Sequence, residues 1–407
     1  MLLREIITGA LLQPPVVPAP LREVGRRRVP EWTASHALVL TGVRRCGKST
    51  LQAQVRRAVG NPAAVLHLED TRLYGLGPED FAAVLSLLDE HFPGQPVYLD
   101  EVQEVPEWQR LVRALLDSGR QVCLTGSNAS LPGRELGSKL TGRHLPHEVY
   151  PFSWREYLEF TGAAANAASL VDYLRRGGFP GALQAGEAAG RVLLQELLRD
   201  VVQRDIVTRH ALRGVRPLMT LALHLLAHSG QPLSLQSLTK SLALPSVPQT
   251  GRLIEYLQDA WLLLQVPRFS PSHKQRVTSP PKYYPIDTGL AAANSPNPTP
   301  DLGRKLENAV LLALRRRGLQ PAFAAAANEW ECDFVTPAMA VQVCARLTPE
   351  NRARELRGLL HAATLPGSPG SPGGQPRELL VLTLDQEDAL VEQGMAVQVM
   401  PAWRWLD

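Results

Sequence analysis

Residues 41–50 read TGVRRCGKST, and the run just before them, Ala37-Leu38-Val39-Leu40, has the length and composition of a buried strand. The stretch contains Gly42, four intervening residues, then Gly47-Lys48-Ser49, the complete phosphate-binding pattern. A loop that wraps a triphosphate must bring several backbone N–H groups to its oxygens, so glycine is needed where a Cβ would collide. Gly42, Val43, Arg44, Arg45, Cys46, Gly47, Lys48, Ser49 and Thr50 are therefore the expected ATP contacts. Lys48 supplies a point charge to the β- and γ-phosphates and Ser49 a hydroxyl to Mg²⁺. The helix that starts here, marked by Leu51, Val55 and Val59, turns its positive end toward the anion.

Working outward, Ala64 to Leu68 is apolar enough for a second strand, closing on Glu69-Asp70, and Pro78 to Leu88 has helical spacing. Pro96-Val97-Tyr98-Leu99-Asp100-Glu101 is then a strand that ends in two acids. Ligands of open parallel sheets bind at the C-terminal ends of strands, which is where these carboxylates fall. Asp100 is expected to hold the Mg²⁺ shell and Glu101 to polarise the attacking water as general base. A helix over Glu107 to Ser118 and a strand over Gln121 to Thr125 follow, and the strand opens into Gly126-Ser127-Asn128. Ser127 or Asn128 is placed to sense the γ-phosphate, and the spacing does not choose between them.

The bulk numbers set the frame. With 407 residues the chain holds two or three cores, and 20% charged with 44% hydrophobic residues describes an ordinary water-soluble protein. The net charge of +4 is weak evidence for a polyanionic partner. Cys46, Cys123, Cys332 and Cys344 show no paired spacing, which argues against a zinc site or a disulfide framework and for a reducing cytoplasm. The apolar run IITGALL near the N-terminus is too short to span a membrane and reads as a short helix packed on the nucleotide domain. The basic cluster REVGRRR from Arg22 to Arg28 reads first as a solvated edge near the nucleotide, with a dedicated DNA contact as the competing reading.

The series TGVRRCGKST, VYLDEVQ, LTGSNAS, LTGRHLPHEVYPFSWREYL, GGFPGAL and QRDIV resembles a large family of bacterial and archaeal AAA-superfamily ATPases. Its members pair an N-terminal P-loop domain with a C-terminal conserved domain of unknown function. The resemblance implies an α/β fold with a parallel ATPase sheet of order 5-1-4-3-2 and a homo-oligomer, a hexameric ring being one form. It also implies an arginine that acts across the subunit interface, for which Arg143 is the choice because it stands just before the last sheet strand. An intrachain salt bridge is the competing reading of Arg143.

Beyond this domain, taken as residues 1–160, a helical lid is expected over 161–215, with Gly177 to Gly181 as a tight turn. Residues 216–294 read as three helices, Leu218 to His228, Leu235 to Leu242 and Thr250 to Trp261, followed by a hairpin, with Pro245 and Pro248 in the last interhelical turn. That is the plan of a winged helix-turn-helix, and it nominates Arg252 on the third helix with His273, Lys274 and Arg276 at the wing tip as DNA contacts. Such domains also serve as protein-interaction modules.

The last part, 301–407, resembles a restriction-endonuclease-like α/β core. Glu307 lies on a helix, Asp333 on a strand, and Gln342-Val343-Cys344 occupies the segment where active versions carry lysine last. No lysine follows Lys305, so Glu307, Asp333, Gln342 and Cys344 are read as a degenerate nuclease site without cleavage activity. GSPGSPGG, Gly367 to Gly374, reads as a flexible insertion before two final strands. The expected function is a cytoplasmic, Mg²⁺-dependent ATPase coupled to movement or remodelling of duplex or branched DNA. A nucleotide-controlled switch that recruits a protein partner is the alternative, and an ATP-dependent nuclease a third.

Overall fold

The short apolar run ALVLT, Ala37–Thr41, becomes strand β1, buried along its whole length because it runs between two parallel neighbours. The computed structural model describes residues 3–14, 32–59, 62–126, 140, 142–295, 301–326, 329–365 and 377–407. The chain divides into two units, residues 1–150 and 151–407.

In the first unit the order is α1 (Arg4–Leu12), β1, α2 (Lys48–Val59), β2 (Ala64–His67), α3 (Phe81–His91), β3 (Val97–Asp100), α4 (Trp108–Asp117), β4 (Val122–Thr125) and β5 (His144–Glu148). The sheet runs β2-β3-β4-β1-β5 with every pair parallel, the same order as 5-1-4-3-2 read from the other edge. Helix α2 buries Leu51 and Val55 at the spacing the sequence predicts, and between them Gln52 donates to Leu99 O at 3.0 Å and Cys123 O at 3.2 Å. This amide ties the P-loop helix to the backbones of β3 and β4. The N-terminal helix α1 buries Ile7, Ala10 and Leu11, and the Arg72 guanidinium caps its end through Gly9 O and Gln13 O.

The second unit opens with α5 (Trp154–Thr161), α6 (Ala167–Arg176), α7 (Pro180–Gln184) and α8 (Glu187–Asp200), and α8 runs on as a π-helix over Val201–Thr208. The turn read from GGFPG is present, and it is also a packing joint. Asp287 accepts from Gly178 N at 2.6 Å and from Leu290 N at 2.7 Å. A Cβ on Gly178 would stand 2.4 Å from Phe152 O, and one on Gly289 2.1 Å from Arg176 O. Glycine at both positions lets separate backbones touch.

Helices α9 (Arg216–Ala227), α10 (Leu235–Ser241) and α11 (Val247–Asp259) come next, then β6 (Leu263–Val266), α12 (His273–Thr278) and β7 (Lys282–Pro285), with β6 and β7 antiparallel. Pro248 is not in the turn before α11, as expected, but inside its first turn, where a missing N–H costs nothing; Ser246 caps the helix. The polar tip folds as α12 because Ser272 supplies an N-cap that accepts from Gln275 N.

After α13 (Thr288–Asn294) and α14 (Leu302–Arg316), a six-stranded sheet forms from β8 (Ala322–Ala326), β9 (Trp330–Val335), β10 (Met339–Val343), β11 (Glu378–Thr383), β12 (Asp388–Glu392) and β13 (Met395–Pro401). Its order is β12-β13-β11-β10-β9-β8, with α15 (Pro349–Ala363) against β9 and β10 and α16 (Ala402–Trp405) at the end. The β8 edge is covered by the segment after β6: Phe269 N donates to Phe323 O at 2.6 Å and Phe323 N to Pro267 O at 3.0 Å. The basic cluster at 22–28 and the Gly367–Gly374 insertion lie outside the described residues.

Candidate active site

The loop between β1 and α2 is fixed at both ends by its own residues. A Cβ on Gly42 would lie 2.1 Å from Val149 O, and the Cys46 thiol donates to the same carbonyl at 3.2 Å. Glycine at 42 is thus required by the close approach to the end of β5. Gly47 has φ +100° and nothing within 4 Å of where its Cβ would be, so open space lies beside the start of α2. Arg45 holds φ +65°. The Lys48 side chain is buried and donates to Gly42 O at 3.2 Å and Val43 O at 3.1 Å, closing the loop over its own ammonium.

The two acids at the end of β3 meet this loop. Ser49 Oγ donates to Asp100 Oδ1 at 3.0 Å, Thr125 Oγ1 donates to the same oxygen, and His67 Nδ1 stands 3.0 Å from Oδ2. Burial alone would raise the Asp100 carboxyl; the hydrogen bonds from His67, Thr125 and Ser49 outweigh it and hold it below its ordinary value. Asp100 is therefore an ionised carboxylate in a dry setting. Glu101 adopts a left-handed backbone, φ +55° and ψ +54°, and its N–H donates to Thr125 Oγ1 at 3.0 Å. Such strain in a residue other than glycine costs on the order of 1–3 kcal/mol and persists where the surroundings impose it. Burial, and next the charge of Glu101, raise the nearby Glu69 carboxyl.

Sequence reasoning passed over His67 and Thr125. His67 ends β2 in register with Asp100 on β3, a pairing that no local sequence pattern states. Thr125, the last residue of β4, is fully buried and links Asp100 to the Glu101 backbone. Ser127 and Asn128 lie outside the described residues. Arg143 forms an intrachain ion pair with Asp117 and donates to Ser35 O at 3.3 Å. Its carbonyl accepts from Ala37 N, so it sits where β1 and β5 begin, about 16 Å of strand away from the P-loop edge. From there it does not reach its own chain's nucleotide loop.

The C-terminal acids are also brought together, with one correction to the sequence reading. Lysine is not missing from this cluster: Lys282 of β7, which precedes the acids in the chain, reaches Glu331 at 2.7 Å, Glu307 at 3.1 Å and Asp333 at 3.6 Å. It was overlooked because the expected lysine is the one that follows the strand, at the position held here by Cys344. Burial pulls the Lys282 ammonium down, but the carboxylates of Glu307, Asp333 and Glu331 more than compensate and raise it. Tyr284 donates to Glu307 at 2.5 Å, Val343 N to Asp333 at 2.9 Å, and Gln342 Nε2 to Glu355 on α15 at 2.7 Å. The buried Cys344 thiol is pushed up to about 12, first by burial and then by Glu355. No metal-holding group of three or more acids, histidines or cysteines occurs among the described residues.

Arg252 on α11 and Lys274 and Arg276 on α12 are exposed, and His273 is the first residue of α12. Gln258 on α11 is engaged within the fold, donating to Gln265 of β6 at 3.1 Å.

Residues 34–158 match the family model of an AAA domain. This segment is an AAA-type P-loop ATPase domain. Residues 167–301 match a domain of unknown function, DUF8612. The chain is 28% identical to an uncharacterized protein of Methanocaldococcus jannaschii, over 90% of this chain and 87% of that one. It is also 28% identical to an uncharacterized protein of Haemophilus influenzae, over 79% of this chain and 85% of that one. Among solved structures, the Aeropyrum pernix ORC1 protein in complex with DNA aligns at 16% identity over 72% of this chain and 96% of its own, with a TM-score of 0.31. AMPPCP-bound DnaA from Aquifex aeolicus aligns at 15% identity over 56% and 83%, with a TM-score of 0.26. No helix among the described residues is long and apolar enough to cross a membrane.

Proposed function

We propose that this ATPase is Mg²⁺-dependent and couples hydrolysis to binding and moving or remodelling DNA, branched DNA included, as a ring-forming homo-oligomer. The observation that carries the reading is the 3.0 Å contact between Ser49 and Asp100, with Glu101 next in the chain. It joins the phosphate loop to the strand-end acids in one place.

The residues fit both expected groups. Open space flanks Gly47 at the helix start, and the hydroxyl of Ser49 beside the ionised Asp100 is a hard oxygen donor set of the kind Mg²⁺ takes. Mg²⁺, when bound, neutralises charge developing on the β- and γ-phosphate oxygens. Lys48 exchanges its two loop carbonyls for phosphate oxygens. Thr125 holds Asp100 and the Glu101 backbone in fixed relation, and Glu101 takes a proton from the water that attacks the γ-phosphorus as the bond to ADP breaks. Ser127 or Asn128 senses the γ-phosphate. Arg143 leaves Asp117 to complete a neighbouring subunit's site.

For DNA, we assign α9–α11 with β6 and β7 to a winged helix-turn-helix in which Arg252, His273, Lys274 and Arg276 meet the backbone. The test is hydrolysis with and without duplex and four-way-junction DNA. Stimulation that disappears in Glu101→Gln supports the reading; turnover indifferent to every nucleic acid overturns the DNA part of it. A second reading, a nucleotide-controlled switch with a protein partner, is favoured by one feature: α11 exposes Glu255 and Asp259 beside Arg252, and acids repel phosphate. That reading expects little salt-sensitive DNA affinity.

At the C-terminal cluster we propose that cleavage is absent. The buried Lys282 already occupies the space between Glu307, Glu331 and Asp333, and Cys344 brings no cation at the end of β10. Labelled duplex incubated with Mg²⁺ or Mn²⁺ should remain intact, and metal-dependent scission lost in Asp333→Asn contradicts this.

A further inference from the structure

A cavity of about 820 Å³ lies in the second unit, beside the glycine joint, and its lining is cationic: Arg175 and Arg176 of α6, Arg191 of α8, and Arg304 and Lys305 of α14. Two acids, Glu187 and Asp301, also line it, so the positive side chains are in excess. Arg175 pairs with Asp172 and Glu187, Arg176 with Asp172, and Arg304 with Asp301. Arg191 and Lys305 make no side-chain hydrogen bond or ion pair among the described residues. Partial burial, and then the charge of Arg175, pull the Lys305 ammonium down, and the charge of Asp301 only partly offsets them.

Two further groups on the same wall are unsatisfied. Asn308, one turn beyond Lys305 on α14, is 2% exposed, and its Oδ1 has no hydrogen-bond partner. Ser229 Oγ, just after α9, is also buried and without a partner. Each buried unpaired polar atom costs about 1–3 kcal/mol, and two of them on one cavity that also holds unpaired cations is a cost a ligand relieves. Leu194, Leu226 and Ala293 supply an apolar wall, and the volume lies within the range of small-molecule sites.

We propose that this cavity binds a soluble organic phosphate of nucleotide size. Its phosphate is held by Arg191 and Lys305 with support from Arg175 and Arg304, and its polar ring edge by Asn308 and Ser229. Guanidinium and ammonium groups match phosphate oxygens. The amide and hydroxyl suit a neutral group with both a donor and an acceptor, as on a nucleobase or a sugar.

The site is tested by calorimetric titration of the full chain with AMP and with pyrophosphate, the P-loop being saturated beforehand with a non-hydrolysable ATP analogue. AMP and pyrophosphate should both bind, and Arg191→Ala/Lys305→Ala should weaken both at least tenfold while Lys240→Ala, on α10, leaves them unchanged. Asn308→Leu separates ligand contact from a structural role. It removes the unsatisfied amide, so the thermal midpoint should hold or rise, while AMP binding falls and pyrophosphate binding persists. Absence of binding at millimolar probe overturns the assignment. So does equal affinity in the double variant, unchanged AMP affinity in Asn308→Leu, or a 5′-phosphorylated oligonucleotide displacing AMP from the cavity.

Discussion

Thr125 accepts one hydrogen bond, from Glu101 N, and donates another, to Asp100, so it ties the two strand-end acids together. Thr125→Val keeps the shape and removes both, leaving the Glu101 N–H without its acceptor, a loss of about 1–3 kcal/mol. The thermal midpoint should fall, and turnover should fall further than nucleotide affinity. Asp287 makes a second residue-scale prediction. Its carboxyl, fully enclosed, is pushed up from an ordinary 3.8 to about 6, first by burial, against the pull of the Gly178 and Leu290 N–H groups. The folded state holds this proton more tightly than the unfolded one, so the group's contribution is greatest below pH 4, is lost as pH rises through 6, and amounts to about 3 kcal/mol. Denaturant unfolding of wild type and Asp287→Asn across pH 4 to 7 should show that slope only in wild type. Lys282→Met leaves Glu307 and Asp333 buried without a counter-charge and should cost about 3–5 kcal/mol, measured the same way. Gly42, Lys48, Ser49, Asp100 and Glu101 were legible because one loop and one strand end carry them in adjacent positions. His67, Thr125 and Lys282 were not, because they reach the same places through strand register and tertiary approach.

The glycine joint sets the element scale. Gly178 and Gly289 let the α6–α7 turn and the start of α13 press against neighbouring backbone at distances no Cβ tolerates. Gly178→Ala would push a methyl onto Phe152 O, and the contact cannot be relieved by turning a side chain. The second unit should lose about 1–3 kcal/mol, with the nucleotide affinity of the first unit kept. The GGFPG turn was readable from composition, but its carboxylate partner 109 positions away was not. Strand β8 escaped notice for a different reason: alanine has weak strand preference, and AFAAA becomes a strand through its pairing with β9 and the segment after β6. Helix α15 carried a readable start in Thr348-Pro349-Glu350-Asn351, a cap with proline at the first position.

For the whole molecule, the parallel sheet order followed from the resemblance carried by ordered motifs, since no local pattern states which strands are neighbours. Arg143 stands where β1 and β5 begin, at the end of the sheet away from its own P-loop. If it serves a neighbour, Arg143→Ala should cut turnover by about 10³ or more while leaving nucleotide binding intact, and mixing it with Lys48→Ala should restore part of the activity. The most direct measurement of the central claim, that the glycine loop and the strand-end acids act on one nucleotide, pairs ATP turnover with nucleotide affinity in Glu101→Gln. The expected result is turnover lower by about 10² to 10⁴ with affinity retained. Turnover equal to wild type contradicts the account.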